Sequence, residues 1–335
     1  MKKIIITGGL GFIGSNLIKI LNKKKFFIIN IDKISYASNK NNIPNNIKNY
    51  KFYKENINNK YSIVKILKKY KPSLIFNLAA ETHVDKSIDG PKSFINSNIL
   101  GVFNLLEAIR MYNKKLKLIN VSTDEVYGDI NKLSSKENDA YNPSSPYSAS
   151  KASGDLLIKS YIRTYNLPAV ITNCCNNYGP NQYPEKLIPT IIYKITRNET
   201  IPIYGNGKNV REWIHVNDHC EALIKIAING KIGESYNIGS GVKIQNIELM
   251  NKIISIFEKI NTNQKNKINF HFVKDRPGHD FRYSLNSSKL KTELKWKCKI
   301  NFNEGLKDTI NWYIEKFNKN FFKNKDFKNR IGLNI

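Results

Sequence analysis

The sequence predicts an α/β fold, in which a doubly wound parallel sheet is followed by a smaller C-terminal domain. Apolar runs without polar alternation are typical of strands buried on both faces, and stretches with helical periodicity separate these runs. Helices that cover both faces of a parallel sheet produce this pattern. The predicted strands are 2–8, 26–32, 73–80, 116–122 and 168–175, and the predicted helices are 12–23, 60–70, 93–112 and 147–165.

A second domain is predicted because the rhythm of the sequence changes near residue 178. Prolines and turn-rich motifs replace the alternation there, and we interpret four prolines as breaks in regular structure: Pro180, Pro184, Pro189 and Pro202. The sheet domain is expected to comprise 1–175 and approximately 213–240, and the second domain approximately 176–212 and 241–330. The basic tail, 316–335, is expected to be a frayed extension.

The composition indicates a water-soluble protein of the cytoplasm. A hydrophobic content of 41% over 335 residues is enough for a sizeable core. No apolar run approaches the ~20 residues that span a bilayer, and the apolar N-terminus leads into a glycine-rich motif rather than a cleavage site. The cysteines have no metal-binding spacing, so we expect no metal and reduced thiols at Cys174, Cys175, Cys220 and Cys298.

The formal net charge of +27 raises the question of a nucleic-acid partner. The lysines, however, are spread along the whole chain and mixed with Asn and Ile, as in 39–60. This distribution indicates a general compositional bias rather than a binding surface. We therefore expect no nucleic-acid and no membrane partner, whereas an anionic small molecule is compatible with the charge.

A dinucleotide site is predicted at the start of the chain. The motif ITGGLGFIGSN joins the first strand to the first helix, with glycines at 8, 9, 11 and 14. Such glycines allow a tight turn and a close approach of the backbone to a pyrophosphate at the helix N-terminus. The second strand ends at Asp32, 18 residues after Gly14, where a carboxylate binds the adenosine ribose. Asp32 favours NAD over NADP, although the neighbouring Lys33 is an opposing hint.

An acid–base pair is predicted at the start of the fourth helix. Tyr147 and Lys151 are four residues apart and therefore lie on one helix face. A phenol with a pKa near ~10 is a poor base at neutral pH. A neighbouring ammonium and a positive nicotinamide ring would lower that pKa, so that Tyr147 takes a proton from a substrate hydroxyl.

Taken together, these residues resemble the extended short-chain dehydrogenases/reductases that act on nucleotide sugars. The motifs NIDKISYASN, NLAAETHVDKSI, VSTDEVYGD, PYSASKASGD, NCCNNYGPNQYPEKLIP and DRPGHDFRY occur in order. Over about 1–315 they are similar to the dTDP-glucose 4,6-dehydratases. The resemblance implies a Rossmann-type sheet domain, a second domain that binds the nucleotide sugar, NAD as the cofactor and a homodimer formed through the helices at 93–112 and 147–165.

The carboxylates of VSTDEVYGD distinguish a dehydratase from a 4-epimerase of the same superfamily. Oxidation at C4 makes the C5 proton acidic, and water is then lost from C5 and C6 before hydride returns to C6. This elimination needs an acid and a base whose environments separate their pKa values. The resemblance implies that Asp124 is the acid, that Glu125 is the base, and that Thr123 binds near the C4 oxygen beside Tyr147.

The remaining site residues are also implied by the resemblance. Those expected to contact NAD are Gly8, Gly11, Phe12, Ile13, Gly14, Asp32, Lys33, Ser35, Asn56, Ile57, Leu78, Ala79, Ala80, Ser97, Tyr147, Lys151 and Asn177. Those expected to contact the nucleotide sugar are Thr82, Thr123, Asn176, Lys186, Leu187, Pro202, Tyr204, Arg211, Arg276 and His279. Among these, Lys186 and Arg211 are expected at the diphosphate.

Three positions depart from the family pattern. Asn56 replaces an Asp that contacts adenine, and its amide oxygen is still an acceptor, so weaker but retained NAD binding is expected. Asn77 replaces a frequent His, which we expect to have no chemical consequence. Val242 falls where many members have an Asn that reaches the substrate's nucleotide, which leaves UDP-glucose open as the substrate. His215 and His219 are interpreted as a structural pair at a helix start rather than metal ligands.

Three functions are therefore compared. The first is NAD-dependent conversion of dTDP-glucose to dTDP-4-keto-6-deoxy-glucose, a precursor of rhamnose-type deoxysugars. The second is 4-epimerisation of a nucleotide sugar on the same scaffold, or 4,6-dehydration of UDP-glucose. The third is a non-enzymatic role in NAD sensing or nucleic-acid binding, against which the complete set of acid–base residues argues.

Overall fold

The computed structural model describes residues 1–113, 115–130, 133–260, 268–319 and 321–322. The strands in these ranges are β1 (Lys3–Thr7), β2 (Phe27–Asp32), β3 (Tyr50–Lys54), β4 (Leu74–Asn77), β5 (Lys117–Thr123), β6 (Ala169–Cys174), β7 (Asn176–Tyr178), β8 (Ile201–Tyr204), β9 (Val210–His215), β10 (Ser235–Ile238), β11 (Lys243–Gln245) and β12 (Phe270–Val273). The α-helices are α1 (Phe12–Lys23), α2 (Lys60–Tyr70), α3 (Val84–Asp89), α4 (Lys92–Phe94), α5 (Gly101–Tyr112), α6 (Pro146–Tyr165), α7 (Leu187–Thr196), α8 (Val216–Asn229), α9 (Asn246–Ile260), α10 (Ser288–Leu294) and α11 (Phe302–Asn318).

A seven-stranded parallel sheet forms the larger part of the fold, with the strand order β10-β6-β5-β4-β1-β2-β3. Successive side chains of a strand point to opposite faces. In β1, Ile4 and Ile6 pack with side chains of α1 and α8, whereas Ile5 packs with side chains of α2, α5 and α6. The sheet is therefore covered on both faces, and the predicted doubly wound α/β class is confirmed.

The remaining elements form a smaller unit beside the carboxyl ends of the main sheet. It contains a three-stranded sheet, β11-β9-β7, and the parallel pair β12-β8. Its core is separate and lies between α7, α9 and α11. Because β10 returns to the main sheet beside β6, the chain passes between the two units more than once.

Two proline interpretations were wrong. Pro189 lies inside α7, in its first turn, where an N–H has no partner within the helix and its absence costs little. Pro202 lies in β8 at an exposed position. In the described part of the chain, the strand β8 pairs only with β12 in its two-stranded sheet, and such an edge strand tolerates a proline. The tail prediction also needs correction, because the segment 316–318 belongs to α11, while 320 and 323–335 lie outside the described residues.

The third predicted helix, 93–112, is a composite. The short α4 leads into a π-helical segment, Ile95–Leu100, which continues directly into α5. Its Asn98 is buried and donates to the Ser150 hydroxyl of α6 at 2.9 Å. The segment thereby packs against the helix that carries Tyr147 and Lys151, and π-helical turns are often found at such functional positions.

The strand order places the candidate site. The chain continues from β1 to β2 on one side and the later strands are added on the other, so the order reverses between β1 and β4. Ligands of open α/β sheets bind at such a switch point, beside the carboxyl ends of the strands. Asp32, Thr123 and Cys174 end their strands at this edge. Within the described ranges, no helix has the length and hydropathy to span a membrane.

Candidate active site

Two adjoining cavities of about 280 and 390 Å³ lie along the carboxyl edge of the main sheet. Their volumes are close to those of small-ligand sites. The first cavity, next to β1, is lined by every residue predicted to contact NAD. Thr82 and Thr123 line the first cavity, Asn176 and Lys186 line both, and the second is lined by Leu187, Pro202, Tyr204, Arg211, Arg276 and His279. The structure thus brings all predicted site residues together.

The glycine turn after β1 is held open by close backbone contacts. Gly8 has a φ of +70°, and a Cβ atom there would lie 2.7 Å from the carbonyl oxygen of Leu78. A Cβ atom on Gly14 would overlap the carbonyl oxygen of Gly8. Larger side chains are therefore excluded at positions 8 and 14. Gly11, Phe12, Ile13 and Gly14 at the start of α1 line the first cavity, and the first N–H groups of a helix form an anion site.

Asp32 is buried at the end of β2, and its carboxylate is fixed by three donors. The N–H groups of Leu10 and Ile34 donate to it at 3.0 and 2.8 Å, and the Ser38 hydroxyl donates at 2.9 Å. The ammonium of the adjacent Lys33 pairs with Glu81 at 2.7 Å and donates to Ser97 at 2.9 Å. Lys33 is thus held by a carboxylate, which weakens the hint of a 2′-phosphate site. These features, with the glycine turn, fit NAD.

Asn56 and Asn77 depart from the family pattern near the first cavity, and the structure places them differently. Asn56 lines the cavity, and its amide oxygen accepts a hydrogen bond from the N–H of Asn58 at 3.0 Å. Asn77 does not line the cavity but bonds to Thr7 and Asn120 at 2.6 and 2.7 Å. It is part of a buried polar chain and so has a structural role, while the absence of a chemical consequence stays a prediction.

Asp124 and Glu125 follow β5 in a single 3₁₀ turn, Asp124–Tyr127. The Thr123 hydroxyl caps this turn by accepting from the N–H of Glu125 at 3.3 Å, and it lies 3.1 Å from the Asp124 carboxylate. Burial, together with the charges of Glu125 and Glu212, raises the pKa of Asp124 well above its usual value. One oxygen of Asp124 is buried and has no partner among the described residues.

Glu125 lies in a different electrostatic environment, although it is the next residue. Burial raises its pKa, but Arg276, Arg211 and Lys186 lower it. The cations face Glu125 from the second unit and the cavity between the units. Asp124 therefore keeps its proton more readily than Glu125, which is the separation that an acid–base pair needs.

Tyr147 and Lys151 occupy the first two turns of α6, whose N-terminus is fixed by a reciprocal cap between Ser145 and Ser148. The ammonium of Lys151 donates to the carbonyl oxygen of Val121 in β5 at 2.7 Å. Burial and the charges of Glu125, Cys174 and Asp124 raise the pKa of Tyr147, opposed by a hydrogen bond with Thr123. Burial dominates in the protein alone, and the lowering of this pKa by Lys151 together with the nicotinamide ring stays a prediction for the NAD complex.

The cationic residues of the second cavity are already engaged by protein groups. Lys186 donates to the carbonyl oxygen of Thr82 at 2.9 Å. Arg211 is buried, and its guanidinium lies 4.3 Å from the centre of the Tyr283 ring. Arg276 pairs with Asp85 at 3.4 Å. These side chains surround a polar space with positive charge, which suits a diphosphate.

His279 is neutral near pH 7. Its Nδ1 lies 2.6 Å from Asp275, but burial and the charges of Arg276 and Arg211 lower its pKa to about 4. It closes one side of the cavity next to the Tyr204 ring. The interpretation of His215 and His219 as structural is confirmed, because His215 caps α8 and His219 bonds to Asn177 at 2.9 Å. The described residues contain no group of metal ligands.

Val242 and Asn246 differ in their position relative to the second cavity. Val242 packs against the core of the smaller unit and does not line either cavity. Asn246, at the start of α9, lines the second cavity, and its amide oxygen is buried without a partner in the described structure. Asn246 is therefore a candidate for the nucleotide contact that Val242 cannot make.

Two other cavity residues, Glu185 and Asp85, were missed, and so was Tyr283, which lies beside Glu125. Glu185 lines both cavities and accepts from the Tyr36 hydroxyl at 2.8 Å. Asp85 accepts from the Tyr204 hydroxyl at 2.6 Å, and Tyr283 lies 3.5 Å from Glu125. Glu185, Asp85 and Tyr283 lie within the quoted motifs NCCNNYGPNQYPEKLIP, NLAAETHVDKSI and DRPGHDFRY. These residues could therefore have been found within the motifs, but only the folded structure shows which motif residues lie at the cavities or beside Glu125.

Comparison with known proteins agrees with this geometry. A sequence profile described as GDP-mannose 4,6 dehydratase matches residues 5–309. The dTDP-glucose 4,6-dehydratase of Haemophilus influenzae is 43% identical over 94% of this chain and 98% of its own length, and that of Escherichia coli is 42% identical over 93% of each. The chain belongs to the dTDP-glucose 4,6-dehydratase family.

Solved structures of this family and of its neighbours have the same fold. The Streptomyces venezuelae dTDP-glucose 4,6-dehydratase, crystallised with NAD, is 37% identical, with a TM-score of 0.88 over 96% of this chain and 99% of that one. The Thermotoga maritima UDP-glucose 4-epimerase, crystallised with UDP-glucose, is 28% identical, with a TM-score of 0.84 over 94% and 99%. Because dehydratases and epimerases share the scaffold, the carboxylate pair has to distinguish them.

Proposed function

We propose that this chain catalyses the NAD-dependent dehydration of dTDP-glucose to dTDP-4-keto-6-deoxy-glucose, a step towards deoxysugars. The observation that carries the proposal is the pair Asp124 and Glu125, adjacent in the chain but raised in pKa to different extents by different neighbours. The family, the fold and the dinucleotide cavity support it. An epimerase needs no acid and base beside the Tyr–Lys pair.

The proposed NAD site comprises the glycine turn, Asp32 and the other residues that line the first cavity. The free N–H groups at the start of α1 would hold the pyrophosphate, and Asp32 would bind the adenosine ribose. Tyr147 and Lys151 line the opposite end of the cavity, beside β5. When it is bound there, NAD supplies a reversible hydride acceptor.

The chain's own residues would move the protons. Tyr147 accepts the proton of the C4 hydroxyl, with Thr123 hydrogen-bonded beside it and the Lys151 charge nearby. Glu125, whose pKa is lowered by three cations against the effect of burial, removes the proton at C5 of the 4-keto sugar. Asp124, which faces carboxylates, is protonated and donates to the C6 oxygen as water leaves. The different neighbours of Asp124 and Glu125 thus separate their pKa values in the direction that an acid and a base require.

The second cavity is the proposed nucleotide site. Lys186, Arg211 and Arg276 would bind the diphosphate, and Tyr204 and Asn246 line the space beyond them. Because the wall includes apolar side chains such as Leu187 and Pro202, it can bury a base. We propose thymine as that base, on the strength of the family.

One assay tests the function directly. Purified protein is incubated with NAD and dTDP-glucose, and the product is analysed by mass spectrometry. The proposal requires a product that has lost one water and carries a 4-keto group. A product of unchanged mass would indicate an epimerase, and no product with dTDP-glucose or UDP-glucose would contradict the proposal. Turnover with the two sugars, measured side by side, identifies the base.

We also propose a homodimer in the cytoplasm, with the domains divided approximately as predicted above except that all of β9 belongs to the smaller unit. Large apolar side chains are exposed on the helices predicted to form the dimer: Ile95, Leu100, Phe103, Met111 and Leu156. Such a surface favours association with a second copy of the chain. The four cysteines are free, which suits a reducing compartment.

A further inference from the structure

A chain of buried hydrogen bonds runs across the main sheet towards α6. The Thr7 hydroxyl donates to Asn77 at 2.6 Å, the amide of Asn77 to Asn120 at 2.7 Å, and the amide of Asn120 to Asp155 at 3.0 Å. These four side chains are almost completely inaccessible, at 0–2% exposure. A buried carboxylate is costly, and an apolar side chain of similar size would cost less at this position. The chain therefore calls for a reason other than stability.

The position of Asp155 supplies a reason. Its two oxygens accept from Asn120 at 3.0 Å and from Ser122 at 2.5 Å, which flank Val121 in β5. The carbonyl oxygen of Val121 accepts from the ammonium of Lys151. Asp155 and Lys151 are four residues apart in α6 and lie on one face. The carboxylate thus fixes the register between α6 and β5 at the point where Lys151 is held.

We propose that Asp155 is a positioning residue for Lys151, and that it supplies the buried negative charge that keeps this side chain an ammonium beside Tyr147. The inference rests on the proposed function, in which the Lys151 charge supports proton transfer by Tyr147. Asp155 itself touches neither cavity. It acts through Lys151 and is not a catalytic residue.

The charges around both groups support this role. Burial lowers the pKa of Lys151, and the attractions that oppose it come from Asp155 on the same helix and Cys174 on β6. Burial raises the thiol pKa of Cys174 to about 12, so this thiol carries no charge near neutral pH. The pKa of Asp155 is about 6, raised by burial and lowered by Lys151, Lys159 and hydrogen bonds from Ser122 and Tyr141. Above that pH, Asp155 is the charge that offsets the burial of Lys151.

The variant Asp155→Asn keeps the size of the side chain and removes its charge. The pKa of Lys151 then falls further, so its ammonium is lost at lower pH. We expect the alkaline limb of kcat to move to lower pH, and kcat to fall on the order of tenfold, less than the loss of the acid–base group itself would cost. The KM for dTDP-glucose should stay near that of the unchanged protein, because Asp155 lines neither cavity.

The matched control is Asp218→Asn in α8. Asp218 is also buried and accepts from the N–H groups of Lys299 and Ile300 at 3.1 and 3.0 Å, away from the cavities. The Asp218→Asn variant should be less stable than the unaltered protein, but its pH profile of kcat should not change. Should Asp155→Asn fail to fold, Ser122→Ala is the second variant. Ser122→Ala removes the shortest hydrogen bond to Asp155. We therefore expect the alkaline limb of kcat to move to lower pH, but by less than in Asp155→Asn.

A readout without turnover separates this inference from the proposed function. The ionisation of Tyr147 is followed by tyrosinate absorbance in the NAD complex, with Tyr147→Phe as the blank. In Asp155→Asn, Tyr147 should ionise at higher pH, because the neighbouring ammonium is lost. An unchanged titration or pH profile in a folded variant would overturn the inference. Failure of the unaltered protein to dehydrate dTDP-glucose would overturn the function instead.

Discussion

Asp124 and Glu125 show how neighbouring carboxylates acquire different chemistry. The charges that act on Asp124 include Glu125 and Glu212, whereas those acting on Glu125 include Arg276, Arg211 and Lys186. The difference arises because the 3₁₀ turn after Thr123 points the two side chains to different neighbours. The carboxylate pair and its roles were predicted from the sequence. The effect of Glu212 was not, because its charge comes close enough to raise the pKa of Asp124 only in the folded chain.

The pH dependence of turnover should report these charges. Glu125 must be ionised, so kcat rises as the pH passes through its raised pKa and falls where Asp124 loses its proton. The variant Arg276→Gln removes the largest charge that lowers the pKa of Glu125. That pKa then rises, and the acid limb of kcat should move to higher pH when substrate is saturating.

Lys274→Gln is the control for this experiment. Lys274 lies two residues away and lines neither cavity, so its charge should leave the acid limb unchanged. An acid limb that does not move in Arg276→Gln would show that Glu125 is not the group that titrates there. The KM is expected to rise in Arg276→Gln only, because Arg276 is a proposed diphosphate ligand.

At the scale of elements, the apolar parallel strands and long amphipathic helices were predictable because their patterns are strong and local. Among the strands of the main sheet, β3 and β10 were missed. Tyr50–Lys54 is a lysine-rich edge strand that exposes one side, and Ser235–Ile238 is short and polar, although buried. The strand β10 exists because β6 offers an unpaired edge, which is a property of the assembled sheet. Likewise, only tertiary packing shows that Asn246, and not Val242, faces the cavity.

The glycine turn between β1 and α1 allows a matched test. Gly8→Ala combines a positive φ with a Cβ atom 2.7 Å from Leu78, whereas Gly241→Ala has a φ of +88° and no atom within 4 Å. Both should lose about 1–2 kcal/mol to backbone strain. Gly8→Ala should lose about 1–3 kcal/mol more through overpacking, and its affinity for NAD should fall as well. Denaturant unfolding and NAD titration measure the two effects, and equal losses in both variants would contradict the close-packed turn.

At the scale of the whole molecule, composition alone was a poor guide. The charge of +27 is conspicuous, but the cations that bear on the proposed chemistry are the few that line the cavities. The cavities themselves require contributions from many parts of the chain, from Gly8 to His279. Their residue types were recognisable in the motifs, whereas their distances and mutual charges follow from the way the smaller unit packs beside the sheet.

The proposed dimer can be tested at this scale. Leu156 is 56% exposed on α6, and Leu156→Glu places a charge on the proposed interface. In sedimentation experiments we expect the unaltered protein to be a dimer and the Leu156→Glu variant to be a monomer. Ile228→Glu is the control, because Ile228 is 69% exposed on α8, outside the proposed interface. A monomeric starting protein, or equal behaviour of both variants, would contradict the dimer proposed here.

The central claim is that Glu125 removes the C5 proton, and one substitution tests it most directly. Glu125→Gln keeps the shape of the side chain but has no basic carboxylate. Mass spectrometry of the sugar nucleotide is combined with NADH absorbance after mixing with dTDP-glucose. We predict that the variant binds NAD, oxidises C4 and forms NADH, but releases no dehydrated product. A dehydrated product formed at a rate near that of the unaltered protein would contradict this assignment.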